Sequence, residues 1–215
     1  MAVRREEERR QAPSVPLEQL AAPGRLTELS GVGAAARHTT AAAIVRQAQL
    51  EGETTAWVQP TGGPLYPPDL AESGVDLVAL VVVQIPLEHG KVGLARAAEL
   101  LLRSGAFGLC VVDLSEPVTW HGPKDVSEKP APRLRGDVWQ ARLAALARMH
   151  ASRVVVLTRA VSGHGSLGPM VGLRVEPRRV RQAPGVFEVQ PQVVKQKGAP
   201  VEGALALRRG PWGLR

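Results

Sequence analysis

The sequence predicts an α/β fold: a mainly parallel central sheet flanked by helices, with antiparallel strands added at one edge. Two observations predict it. Between residues 25 and 158, short runs of Val, Leu and Ala alternate with segments of helical period. Strands that are apolar throughout belong to a parallel sheet covered on both faces. After Met170 the pattern changes to short strands with tight connections, which reads as antiparallel pairing at a sheet edge.

Strand-like runs fall at Arg25–Ser30, Thr54–Gln59, Leu77–Gln84, Phe107–Leu114 and Val154–Thr158. Three helical candidates lie between them: Thr39–Leu50, Val92–Arg103 and Asp137–His150. The last has Val138, Leu143, Leu146 and Ala147 near one face, with Arg142 and Arg148 elsewhere. The later strands are Met170–Val175, Phe187–Lys195 and Ala204–Arg208. Two segments stay unassigned, Thr61–Pro68 and the proline-rich Ser115–Gly136. A loop as long as the second is functional or disordered. The organisation expected is a charged, proline-interrupted leader at 1–23, a core domain at 24–209 and a tail at 210–215.

The 215 residues are 44% hydrophobic and 22% charged, a globular composition able to bury a core. Aromatic residues are only 3%, so Ala, Val and Leu must build that core. Cys110, the single cysteine, lies inside the apolar run Phe107–Val112 and is expected to be a buried structural thiol. The N-terminal residues have no apolar stretch of the signal-peptide type, and no run is long enough for a membrane span. A cytoplasmic protein without membrane contact is expected. The net charge of +7 is unevenly spread: residues 1–120 carry 10 basic and 14 acidic side chains, residues 121–215 carry 17 and 6. That asymmetry points to a polyanionic partner for the C-terminal half, single- or double-stranded DNA above all.

The first strand runs into Ser30-Gly31-Val32-Gly33-Ala34-Ala35-Ala36-Arg37-His38-Thr39-Thr40 and then a helix. Strand, Gly-containing loop and helix N-terminus is the layout of a phosphate-binding loop, in which backbone N–H groups, a Lys and a Ser/Thr hydroxyl hold phosphates and Mg²⁺. Neither possible register supplies Gly-Lys-Thr. Counting from Gly31 puts Ala36, Arg37 and His38 at the last three positions; counting back from Thr39 puts His38 at the lysine and Arg37 at the second glycine. A Cβ at the second glycine crowds a turn that often needs positive φ. Imidazole in place of the hydroxyl removes a hard oxygen ligand for Mg²⁺. Gly31, Gly33, Ala36, Arg37, His38 and Thr39 therefore read as a degenerate phosphate loop, and no cofactor is expected.

Several segments carry a resemblance to RecA, in order over roughly residues 24–209. Gly24–Leu29 resembles the strand that leads into RecA's phosphate loop. Gln47–Thr54 resembles the end of the following helix, and Ser73–Asp76 and Gln84–Pro86 match its turns. Leu102–Ala106 with Val111-Val112-Asp113 is similar to the stretch ending in the Walker B aspartate. Leu173–Val180 and Val193–Lys197 continue the match.

The resemblance implies a RecA-like core with departures. Thr61 stands where RecA has its catalytic glutamate, and a threonine cannot activate water as a carboxylate does. Arg159 stands near the nucleotide-sensing glutamine, and Asp113 is the remnant of Walker B. The loop after Arg159 looks shortened. No catalytic residue is assigned, and a pseudo-ATPase is implied. Arg178 and Arg179 match an arginine pair of RecA's secondary DNA site, while Lys195 and Lys197 match lysines that reach a neighbouring subunit's nucleotide. With Arg174 and Arg181 these form the candidate DNA-binding set.

A RecA-fold chain of this size with a decayed phosphate loop most resembles the ImuA family of the bacterial damage-inducible mutagenesis cassette. The resemblance implies a non-catalytic accessory of translesion synthesis and SOS mutagenesis. Its implied partners are an ImuB-like protein, an error-prone polymerase, RecA and DNA, with possible inhibition of RecA filaments and nucleoid association when bound to DNA. A SulA-like cell-division inhibitor and a weak DNA-dependent ATPase are the alternatives. His38, His89, His121, His150 and His164 are scattered, so no metal site is expected. Gly163-His164-Gly165-Ser166 lacks the hydrolase elbow. Trp120 and Trp139 are the best candidates for base stacking.

Overall fold

A computed structural model describes residues 20–32, 35–115, 138–160, 167–183 and 186–198. The strands are β1 (Leu26–Ser30), β2 (Thr55–Pro60), β3 (Leu80–Ile85), β4 (Leu109–Asp113), β5 (Arg153–Thr158), β6 (Leu173–Ala183) and β7 (Val186–Gln196). The helices among the described residues are α1 (Arg37–Leu50), α2 (Pro67–Glu72), α3 (Gly90–Arg103) and α4 (Val138–Met149). The strands form one sheet in the order β3-β2-β4-β5-β1-β6-β7. Every neighbouring pair from β3 to β6 is parallel, and β7 alone runs antiparallel, against β6. The expected α/β class with an antiparallel edge is what the molecule has.

Alternation along the strands builds two cores. Leu109 and Val111 of β4 face α1, where Ala41, Ile44, Val45 and Ala48 are buried. Cys110 and Val112 face α3 and α4, against Leu94, Ala98, Leu102, Leu143 and Ala147. Small Ala side chains on all three helices let them approach the Val-rich sheet closely, which offsets the shortage of aromatics. Cys110 is fully buried, and burial pushes its thiol up to about 12.

Some expectations change. The strand expected at Met170–Val175 is Leu173–Ala183, and it is still parallel to its neighbour β1, pairing at Leu173–Val175. The unassigned stretch at Thr61–Pro68 leads into α2, which has proline at its start and Asp69 in its first turn. Leu20 and Ala21 fell in the expected leader but are buried in the core, and the Leu20 carbonyl accepts from Thr27 Oγ1 at 2.7 Å. The rest of the leader to residue 19, residues 116–137 and the expected strand Ala204–Arg208 lie outside the described residues. Among the described residues no helix is long and apolar enough to cross a membrane.

Candidate phosphate-loop remnant and basic hairpin

The sheet order puts the C-terminal ends of β4, β5 and β1 side by side, with Ser30 beside Thr158 and Asp113 beside Leu157. Ligand sites of open parallel sheets sit at such strand ends. Here the chain leaves β1 through Gly31, at φ 141°, and enters α1 at Ala36. A Cβ on Gly31 would lie 2.6 Å from that of Ala35, so both the backbone angle and the space require glycine.

The loop is tied to the protein itself. The Ala36 N–H donates to the Pro177 carbonyl at 2.8 Å, and Ala35 bridges Arg178 of β6. Arg37 is buried, with Nη1 donating to the Thr158 carbonyl at 2.6 Å. His38 Nε2 lies 2.8 Å from Asp113 Oδ2, and its ring stacks on Trp57 with centroids 6.3 Å apart. Asp113 Oδ1 accepts from the Ser115 backbone N–H at 2.9 Å and from its hydroxyl. Burial alone would push the Asp113 carboxyl up, but the hydrogen bond and charge of His38 and the Ser115 donors outweigh it, and it titrates below its ordinary value. Ser115 and His38 bond to different oxygens of one carboxylate, so the three do not form a nucleophile–base–acid chain. Thr39 joins His38, Trp57, Tyr66 and Asp69 around a cavity of about 50 Å³. Gly33 lies outside the described residues, as do His121, His164 and Trp120.

A second cluster, unforeseen from the sequence, fills the space between β1, β5 and β6. Glu28 is buried; Thr158 Oγ1 donates to its Oε1 at 2.8 Å and the Leu167 N–H to its Oε2 at 3.1 Å. Arg174, 1% exposed, donates from Nε to Ser30 Oγ at 2.9 Å and lies 3.9 Å from Glu28 and 3.7 Å from Glu176. The signal was there: an acid and a base within two runs otherwise apolar enough to be fully buried need each other. Arg174 is thus corrected from a DNA contact to a structural charge, since a buried guanidinium does not reach a phosphate.

Lys195 and Lys197 also have work inside the protein. Lys195 Nζ donates to the Gly168 carbonyl at 2.8 Å and Lys197 Nζ to that of Pro169. Burial, then the charge of Lys197, lower the Lys195 ammonium below its ordinary value, with Glu28 opposing and Arg174 adding to the fall. These contacts tie β7 to residues 168 and 169, with Lys195 half-buried and Lys197 exposed. Trp139 is buried in the α4 core and is not a stacking platform.

Three arginines of the candidate set remain on the surface of β6. Arg178 and Arg181 are exposed, and Arg179 is half-buried with its guanidinium 4.1 Å from the centre of the Phe187 ring. β1 pairs with β6 only at Leu173–Val175; beyond it β6 meets the loop at Pro177 and Arg178 and pairs with β7 as far as Ala183 and Val186, with a register shift between Arg181 and Ala183. The result is a two-stranded basic ribbon beside the loop between β1 and α1. Among the described residues no group of three or more His, Cys, Asp or Glu is placed to hold a metal ion.

No protein-family model matches the chain. It is 31% identical over 140 residues to Protein RecA of Chlorobium chlorochromatii, a match covering 65% of this chain and 35% of that protein. It is 30% identical over 171 residues to Protein RecA of Deinococcus radiodurans, covering 79% of this chain and 41% of that protein. The chain thus spans less than half the length of these curated relatives. With the seven-stranded sheet and its antiparallel edge, the matches show a distant, partial relative of RecA built on a RecA-like α/β core.

Proposed function

We propose that this chain is a non-catalytic, RecA-like accessory of translesion synthesis, an adaptor for an ImuB-like protein and an error-prone polymerase that touches DNA through its β6–β7 ribbon. The observation that carries the non-catalytic half is that the groups expected to meet phosphates are bonded within the protein. The Ala36 N–H is spent on Pro177, Arg37 turns inward to Thr158, and His38 is paired with Asp113. A nucleotide would have to break a charge-assisted pair and desolvate what it released.

The DNA half is supported by Arg178 and Arg181, exposed on a ribbon of the width that a major groove admits. The RecA filament is the further partner this fold suggests. Phosphate release by the chain alone, with and without single-stranded DNA, is expected to stay at buffer background. DNA-stimulated release that disappears in Arg37→Ala would contradict the reading. A complex with the ImuB-like protein that forms without ATP is the result expected of an adaptor. If neither that protein nor RecA filaments bind the chain, the adaptor role fails.

A further inference from the structure

The basic residues of β6 do not share a face. Leu173 and Val175 pack into the core beside α1, so alternation puts Pro177, Arg179 and Arg181 on that face. Arg174 points the other way, to Ser30 and Glu28, and Glu176 and Arg178 follow it. The register shifts against β7 fall at Arg174/Val175 and Arg181/Ala183, so the alternation is unbroken between them. Arg178 and Arg181, both exposed, therefore stand on opposite faces of the ribbon, about 10 Å apart along the strand.

From Arg179 to Ala183 the partner of β6 among the described residues is β7. A two-stranded ribbon is marginal by itself. Here the two strands are tied by their own side chains. The Arg179 guanidinium covers the Phe187 ring on the face of Arg181, and Gln182 Nε2 donates to the Glu188 carboxylate. Glu188 pairs with Val180 and so lies on the face of Arg178, where Gln182 engages the acid.

A single strand of nucleic acid laid along one face of this ribbon meets one of the two exposed cations. The two phosphate backbones that wall a duplex groove meet both. A sheet with its side chains is about 10 Å thick, against a major groove of about 12 Å and a minor groove of about 6 Å. We propose that the β6–β7 ribbon enters the major groove of double-stranded DNA edge-on, with Arg178 on one phosphate backbone and Arg181 on the other, so that the chain selects duplex over single strand. The inference rests on the reading of this ribbon as the DNA contact. Phosphate contacts carry no sequence information, so the preference is for the duplex and not for a sequence.

The test is fluorescence anisotropy of the full chain on a mixed-sequence duplex of about 20 base pairs and on one of its strands, across a salt series. Wild type is expected to bind the duplex at least tenfold more tightly than the strand at equal phosphate concentration. Arg178→Ala and Arg181→Ala change exposed side chains and are expected to keep the melting temperature. Each should make the duplex log–log salt slope shallower by about one unit, while at most one of them changes binding to the single strand. Dimethyl sulfate, which methylates guanine N7 in the major groove, should react more slowly on a saturated duplex. A single strand bound as tightly as the duplex, a duplex that responds to one arginine and ignores the other, or unchanged guanine N7 reactivity overturns the proposal and leaves the DNA contact standing. The absence of salt-dependent binding to either form overturns both.

Discussion

Arg174 holds two acids, Glu28 and Glu176, in a region closed to water, so its loss leaves carboxylates uncompensated. Replacing it with Met fills similar volume but supplies no charge. Arg174→Met is expected to lower the unfolding free energy by about 3–5 kcal/mol in urea titration, the cost of breaking a buried pair from one side. The His38–Asp113 pair makes a pH-dependent contribution. Asp113 has a folded value below its unfolded one, so its stabilisation is complete above the unfolded carboxyl value of about 3.9 and fades as pH falls through the folded one. His38→Gln is therefore expected to be less stable than wild type at pH 6–7, with the gap closing towards pH 3. A gap that stays constant into acid would show that the pair adds no charge-dependent stability. At this scale the sequence was half legible. The sequence marks Arg174, Arg178, Arg179 and Arg181 alike as DNA-facing cations, because which arginine of a cluster turns inward depends on strand register. Arg174 lies in the three-residue stretch of β6 that β1 covers, and Arg178 lies beyond it.

Two element boundaries show how local geometry limits substitution. α4 ends with Ala151 at φ 51°, and the Ser152 N–H reaches back to the Ala147 carbonyl at 2.9 Å, a left-handed helix end usually held by glycine. Ala151→Gly is expected to stabilise by about 0.5–1 kcal/mol in chemical denaturation. Gly31→Ala runs the other way. At φ 141° and with Ala35 2.6 Å from the added Cβ, it is expected to destabilise by at least ~1 kcal/mol and to loosen the loop from β6. The repeating βα elements were readable from continuous apolar runs and from helix period. The length of β6 was not. Pro177 and the run Arg178–Ala183 look like the end of a strand, and only pairing with β7 carries the chain on to Ala183. α2 was likewise hidden behind a loop rich in Pro and Gly, where six helical residues leave too little period to detect.

Over the whole molecule, the excess of basic side chains in residues 121–215 and the ribbon that carries Arg178 and Arg181 form one electrostatic argument. The fold places that ribbon against the loop where a relative of RecA would be expected to hold nucleotide, so DNA contact and nucleotide should be uncoupled here if the loop's donors stay satisfied internally. The direct measurement is DNA binding by fluorescence anisotropy across a salt series, with and without ATP·Mg²⁺, for wild type and for Arg178→Ala/Arg181→Ala. Affinity should fall steeply with salt and ignore ATP. The double variant should bind more weakly, with a log–log salt slope shallower by about two units. Binding that strengthens with ATP·Mg²⁺, or a double variant that binds as wild type does, would contradict the account.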